Sequence, residues 1–539
     1  MASTGPFEAY LPIPPDHEAS GKVTVSTQGQ LSPGLRMALY VGLNVAVLLL
    51  LVIGTAVSAP SNPRFVYVIL ITALCSSPLL SMDRLNGRYF LLAVYMAFAY
   101  VFFGFGGVMG ILLGRTPEGA EGILTAAECV ILVSLMGITV GYRAAAARQP
   151  RQNLEETDSS DWPFAALVAT GLAFWLIGTG SLTYWLVYII GDRTSATLAK
   201  NLASLGQGYT TLFMLGQLIQ PLGVMILAYA YSAYRRAFLP AMILAVTFIQ
   251  VVLGFVADYK SEAMLVGMLV IITKTYIDGK VPKVWLACAG LFVVLAFPIF
   301  QAQRLAVRGE QGRSAADALS NIWETLQKSI SAQEKVQSGF GGAEYRVQSF
   351  WERASLKGSV ELIVQKAGVD VPYKHGATLT PILSAFIPRI IWSDKESLAV
   401  GQIFNKDFNI SVDTDTYISP SHVGEIYWNF GWAGTLLVLP ATGFLLGFIG
   451  SRCAAYPRLS LTRMMITFVT IFAFAVRAEG SVATEYVVWL RSMAVIGILH
   501  LIFVRRTVAS RAPASSDNGI DSTHSADALH AAPFPNLLR

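Results

Sequence analysis

Charge is what this 539-residue sequence has least of: Asp, Glu, Lys and Arg make up 14% of it, against roughly a quarter in a soluble protein. The deficit is gathered into runs of about 18–25 apolar residues, the length that crosses a hydrocarbon core at 1.5 Å per residue. In lipid such runs satisfy their backbone amides only as helices.

Other absences narrow the function. The four cysteines (Cys75, Cys129, Cys288, Cys453) lie in or beside apolar runs, with no CxxC or Cys/His spacing. That argues against a disulfide framework and a zinc site. Net charge is only +5 and the basic residues are dispersed, so no nucleic-acid partner is expected. No Walker A, HExxH or GxSxG pattern occurs, which removes ATP-driven transport and two common hydrolase classes. No cofactor is implied. The polar, Pro-rich first 35 residues have no signal-peptide pattern, so none is expected to be cleaved. No internal repeat is evident, which weighs against transporters built from duplicated halves.

What is present is an all-α polytopic pattern with mean hydropathy +0.54. Apolar spans fall near 37–57, 65–81, 89–113, 121–142, 163–190, 210–233, 237–257, 261–277, 284–303, 426–450, 463–479 and 483–504. Gly178-Thr179-Gly180 is a place where the fifth would tilt or break. The positive-inside rule tests this set of about twelve. With the C-terminus inside, thirteen basic residues fall in inner loops: Arg84, Arg88, Arg143, Arg148, Arg151, Arg235, Arg236, Lys274, Lys280, Lys283, Arg452, Arg458 and Arg463. The short outer loops carry six: Arg64, Arg115, Arg193, Lys200, Lys260 and Arg477. Both termini are therefore expected in the cytoplasm.

The organisation that follows is a tail (1–36), helices 1–9 (37–303), a large outer loop (304–425), helices 10–12 (426–504) and a disordered tail (505–539). In the loop, AADALSNIWETLQKSI and YRVQSFWERASLKGSVELIVQKA read as helices. TPILSAFIPRIIWSDKE reads as a segment on the membrane surface, and the rest as polar turns.

Charges at membrane depth are costly and tend to be functional. Glu128 and Arg491 fall inside expected spans, as a buried ion pair or as lining of an outward cavity; Arg477 falls at the outer end of helix 11. The loop adds Arg304, Arg308, Arg313, Arg346, Arg353, Arg389, Lys374 and Lys395. Arginine's planar fork suits phosphate oxygens, and Arg389 is held after Pro388 in an apolar stretch. For proton transfer the pair is His422 and Glu425, on one face if the helix has begun there. The plainer alternative is a polar helix start beside an interfacial aromatic belt. Asp394, Asp413 and Asp415 are alternative bases, and His375 reads as a turn residue.

At residues 350–435 the sequence resembles the Wzy-type repeat-unit polymerases of O-antigen and exopolysaccharide. The resemblance rests on Arg353 and Ser355, Gly376, Ile387-Pro388-Arg389, Trp392, Lys395, and the element Gly424-Glu425-x-Tyr427-x-Asn429-Phe430-Gly431-x-x-Gly434. Glu396 stands where members often have Pro. The resemblance implies a GT-C-like glycosyltransferase of the bacterial inner (plasma) membrane, metal-independent, acting on undecaprenyl-pyrophosphate-linked oligosaccharide. Arg389, Arg477, Arg353, Lys395 and Arg491 would meet the pyrophosphate, and His422 or Glu425 would be the base. Its partners would be the lipid-linked glycan, the bilayer and a chain-length regulator. An O-antigen ligase-like enzyme and a non-enzymatic flippase or transporter are the competing readings.

Overall fold

A computed structural model of the chain describes residues 31–58, 65–112, 124–149, 164–184, 207–257, 260–291, 323–324, 327, 355–384, 387, 392, 400–412, 417–454 and 461–511. Among the described residues the structure is helical, with one isolated bridge between Ala367 and Val371. The helices are α1 (Pro33–Ser58), α2 (Phe65–Ser81, interrupted at Ser77), α3 (Phe90–Leu112), α4 (Ala126–Arg148), α5 (Phe164–Tyr184), α6 (Gln207–Tyr234), α7 (Phe238–Ala257), α8 (Lys260–Asp278), α9 (Lys357–Lys366), α10 (Val400–Phe408), α11 (Ser421–Arg452), α12 (Leu461–Val476) and α13 (Val482–Arg511). Residues 283–291 are also helical.

Seven of these are long and apolar enough to cross a membrane, and Phe65–Ser81, Ile219–Ser232 and Leu461–Val476 are shorter apolar helices. Each of the twelve spans expected from the sequence coincides at least in part with a helix. The boundaries differ instructively. α4 begins at Ala126 rather than 121, α11 at Ser421 rather than 426, and α13 runs to Arg511, past the expected start of the tail at 505. α5 continues through Gly178-Thr179-Gly180 without a break.

Helices in lipid gain little from apolar burial against one another, so close approach of small residues does the packing. α4 and α11 meet along two G-x-x-x-G rows, Gly137/Gly141 and Gly443/Gly447. A methyl added at Gly443 would lie 2.6 Å from Ile138 Cα, and one at Gly447 would lie 2.8 Å from Tyr142 Cα. Backbone therefore packs on backbone. α5 and α6 repeat the device, where a methyl at Gly223 would sit 2.6 Å from Gly171 O.

Arg88, Arg143 and Arg452, from three of the basic loops, meet at one end of this bundle. There Tyr142 donates to Arg88 O at 2.6 Å, Arg143 to Ser77 O at 3.2 Å, and Arg452 Nε to Gln149 at 2.8 Å. The described loop residues that follow Leu356 pack at the other end. Leu356 N donates to Phe102 O at 2.9 Å, and Tyr67 donates its hydroxyl to Phe103 O at 2.9 Å. Both acceptors belong to a π-helical turn, Tyr100–Gly104, inside α3. Such a widened turn loosens the i→i−4 ladder and exposes carbonyls, and here the loop uses one to dock.

Candidate functional site at the loop end of the bundle

The first turns of α11 are buried on all sides: Ser421, His422, Val423, Gly424, Glu425, Ile426, Tyr427, Trp428 and Asn429 are all inside. Five of these nine residues lie upstream of the expected span, so polarity there marks a wrapped helix rather than a loop. Ser421 starts it, its hydroxyl accepting from Gly424 N at 3.2 Å. His422 and Glu425, three positions apart, share one side of a formed helix.

α11 breaks at Gly431, whose backbone (φ 57°, ψ −142°) is open essentially to glycine alone. Just before the break, the Trp428 and Asn429 carbonyls accept from Lys374 N at 3.1 Å and His375 N at 3.0 Å. The Asn429 side chain completes the splice. Its oxygen accepts from Gly376 N at 2.9 Å, while its nitrogen donates to the Thr378 hydroxyl at 2.7 Å and to Glu425 O at 2.8 Å. Lys374 pairs with Asp407 of α10 at 2.6 Å and lies over the Trp428 ring. A broken helix at membrane depth is tolerated when neighbouring protein satisfies the released backbone groups, and the Tyr373–Thr378 turn does this here.

Glu425 has no exposed surface, and both its oxygens are engaged. One accepts the Thr378 hydroxyl at 2.8 Å, the other Val482 N at 2.6 Å. A carboxylate on the first amide of α13 also meets the positive end of that helix. His422 differs. Its backbone N–H donates to Ala478 O at 3.2 Å, its ring lies 6.3 Å from Phe474, and its Nε2 has no hydrogen-bond partner. A second carboxylate, Glu485, is also buried, with Oε2 unpartnered. Its Oε1 would lie 2.7 Å from a methyl at Gly480.

Arg477 ends α12 in the same hairpin, one residue before the Ala478 carbonyl that holds His422. It is half-buried, with its guanidinium 4.5 Å from the Phe472 ring centroid. Arg491 is half-buried further along α13. Arg353, Arg389, Lys395, Asp394, Asp413 and Asp415 lie outside the described residues. His375 occupies a left-handed turn position (φ 50°) and is exposed, as a turn residue should be.

One expectation is corrected. Glu128 is not deep in a span and does not pair with Arg491. It sits in the first turn of α4, in a capping box with Thr125, and its other oxygen pairs with Lys357 of α9. Nothing in the sequence marks Lys357, because the partners are 229 positions apart and no local spacing joins them. Thr378 escapes for the same reason. Among the described residues, no three His, Cys, Asp or Glu side chains are grouped to hold a metal ion.

The architecture is that of a multi-pass helical membrane protein, with a buried polar site where a loop is spliced into a broken helix. Over residues 42–511 the chain matches the family described as O-antigen polysaccharide polymerase Wzy, and it belongs to that family. No curated protein and no solved structure matches it.

Proposed function

We propose that the chain joins undecaprenyl-pyrophosphate-linked oligosaccharide repeat units into O-antigen or exopolysaccharide at the periplasmic face of the bacterial inner membrane. Family membership supplies the polymerase class. The observation that carries the site is the Arg477-to-Ser481 hairpin: it places a cation next to the carbonyl that holds a buried histidine with an open ring nitrogen.

In this reading His422 accepts the proton of the acceptor sugar hydroxyl. The hydroxyl oxygen attacks the anomeric carbon of the donor, and the carbon–oxygen bond to the pyrophosphate breaks with inversion. The departing lipid diphosphate gathers negative charge, which Arg477, with Arg389, Arg353, Lys395 and Arg491, neutralises in place of a metal. Glu425, engaged at both oxygens, supports the junction of α11, α13 and the 373–378 turn rather than taking the proton. The basic end of the bundle faces the cytoplasm, as the positive-inside rule requires. The GT-C-like architecture and a chain-length regulator as partner belong to the same reading.

Reconstitution in nanodiscs with a synthetic undecaprenyl-pyrophosphate repeat unit tests it. A ladder of products on a gel, unchanged by EDTA, is expected; no product beyond the single unit would sink the polymerase assignment. In cells, deletion should leave single lipid-linked units. Polymer accumulating on its carrier would instead mark a ligase.

A further inference from the structure

The buried pair Lys357–Glu128 has no part in the proposed reaction, yet it is built with more contacts than a loop anchor requires. Glu128 is 1% exposed at its side chain and Lys357 11%. Glu128 uses its second oxygen for the Thr125 amide at 2.9 Å, so the cap of α4 fixes the carboxylate before the lysine arrives. Lys357 also lies 4.9 Å from the Tyr67 ring centroid and 3.5 Å from Glu361. Tyr67 is itself pinned to the π-turn of α3, and the neighbouring residue Leu356 docks on the same turn. Helices α2, α3 and α4 thus converge on the first residue of α9.

What α9 does with that fixed start is visible two turns later. Val360 and Ile363 have no exposed surface. The Ile363 Cδ1 methyl fills the space over Gly424: a Cβ at that glycine would lie 2.7 Å from it, and 3.7 Å from Val360 Cγ2. Gly424 stands between His422 and Glu425 in the first turn of α11. Nothing softer than an aliphatic contact separates α9 from the turn that carries the histidine, and close-packed interiors transmit displacement.

We propose that Lys357 and Glu128 are positioning residues for His422, acting through α9 and Gly424; the inference rests on the assignment of His422 as base. A shift of about an ångström at a reacting group costs on the order of a hundredfold in rate, so the position of α9 would be felt in turnover before it is felt in binding.

The test uses the full chain in nanodiscs, with Lys357→Met, Glu128→Gln, the double variant and Lys357→Arg. Replacing both members of a buried pair by neutral groups is often tolerated by the fold, so the double variant should melt close to the parent while its kcat falls about ten- to a hundredfold at little-changed KM. Lys357→Arg, which keeps the cation, should restore most of the turnover. Amide hydrogen exchange over residues 421–426 reads the same coupling without the reaction, and should quicken about tenfold or more in the double variant. A parent-like kcat with unchanged exchange in the folded double variant overturns the proposal, as does lost turnover with unchanged exchange. If the parent itself made no polymer, the assignment of function would fail, while the exchange comparison would still decide whether the pair fixes the α11 turn.

Discussion

Thr378 and Glu425, 47 positions apart in sequence, share a 2.8 Å hydrogen bond in which the threonine donates. The same hydroxyl accepts from Asn429 at 2.7 Å, so its one proton is committed to the carboxylate. The loop is therefore held to α11 by a directed chain, Asn429 to Thr378 to Glu425, and the first amide of α13 donates to the same carboxylate from the other side. Three pieces of chain meet on one buried side chain.

Glu425→Gln should accordingly destabilise the junction by about 1–3 kcal/mol, because an amide nitrogen would face either the Thr378 proton or the Val482 N–H. Thr378→Val should lower the melting temperature in the same direction, leaving Glu425 and Asn429 each short of a partner. The folded fraction of Glu425→Gln should still make polymer. His422→Gln should melt like the parent and make none. Polymer from His422→Gln alongside a dead but well-folded Glu425→Gln would exchange the roles assigned to the two residues.

Arg477→Ala should leave single lipid-linked units and no polymer, read as a ladder collapsed to its first rung. Arg477→Lys keeps the charge but loses the planar fork that grips two phosphate oxygens, so a partial, shortened ladder is expected. Arg389→Ala should behave as Arg477→Ala does. Normal long-chain polymer from either alanine variant removes that arginine from the mechanism.

Gly443→Ala should weaken the α4–α11 seam by about 1–3 kcal/mol or more, since the new methyl meets Ile138 backbone rather than a side chain that could turn aside. Gly42→Ala is the control, because nothing lies within 4 Å of a methyl added there. Equal melting temperatures for the two variants would show that the glycine rows do not hold the bundle.

The helices are legible in the sequence because lipid imposes length and apolarity on each span, and a run such as Phe90–Leu112 can hardly be read otherwise. Their ends are not. The α11 start is hidden because Ser421, His422 and Glu425 are polar, and hydropathy alone ends a span where polar residues begin. Glu425 is satisfied by Thr378 of the 373–378 turn and the Val482 amide of α13, and the His422 amide by the Ala478 carbonyl, all distant in sequence. The same limit moves Glu128. Its Thr-x-x-Glu spacing is a readable capping box, but the apolar GILTAA ahead of it draws the expected span to 121. Asn429 gives a signal of its own, an amide among aromatic residues in YWNFGW, and forms part of the element that carries the family resemblance. Two of its three partners, Gly376 N and the Thr378 hydroxyl, can be found only in the folded chain.

The orientation of the whole molecule is open to a direct prediction. Val412 lies at the loop end and is fully exposed, whereas Lys280 is exposed at the end where Arg88, Arg143 and Arg452 meet. In a background with Cys75, Cys129, Cys288 and Cys453 changed to Ser, Val412→Cys should react with a membrane-impermeant maleimide once the outer membrane is permeabilised. Lys280→Cys should react only after the inner membrane is broken. The proposed polymerisation consumes its diphosphate lipid substrate on the periplasmic face, so the cation at Arg477 and the imidazole of His422 must open to that side. The reverse labelling pattern would put the buried histidine and its hairpin on the cytoplasmic side, where that reaction could not occur.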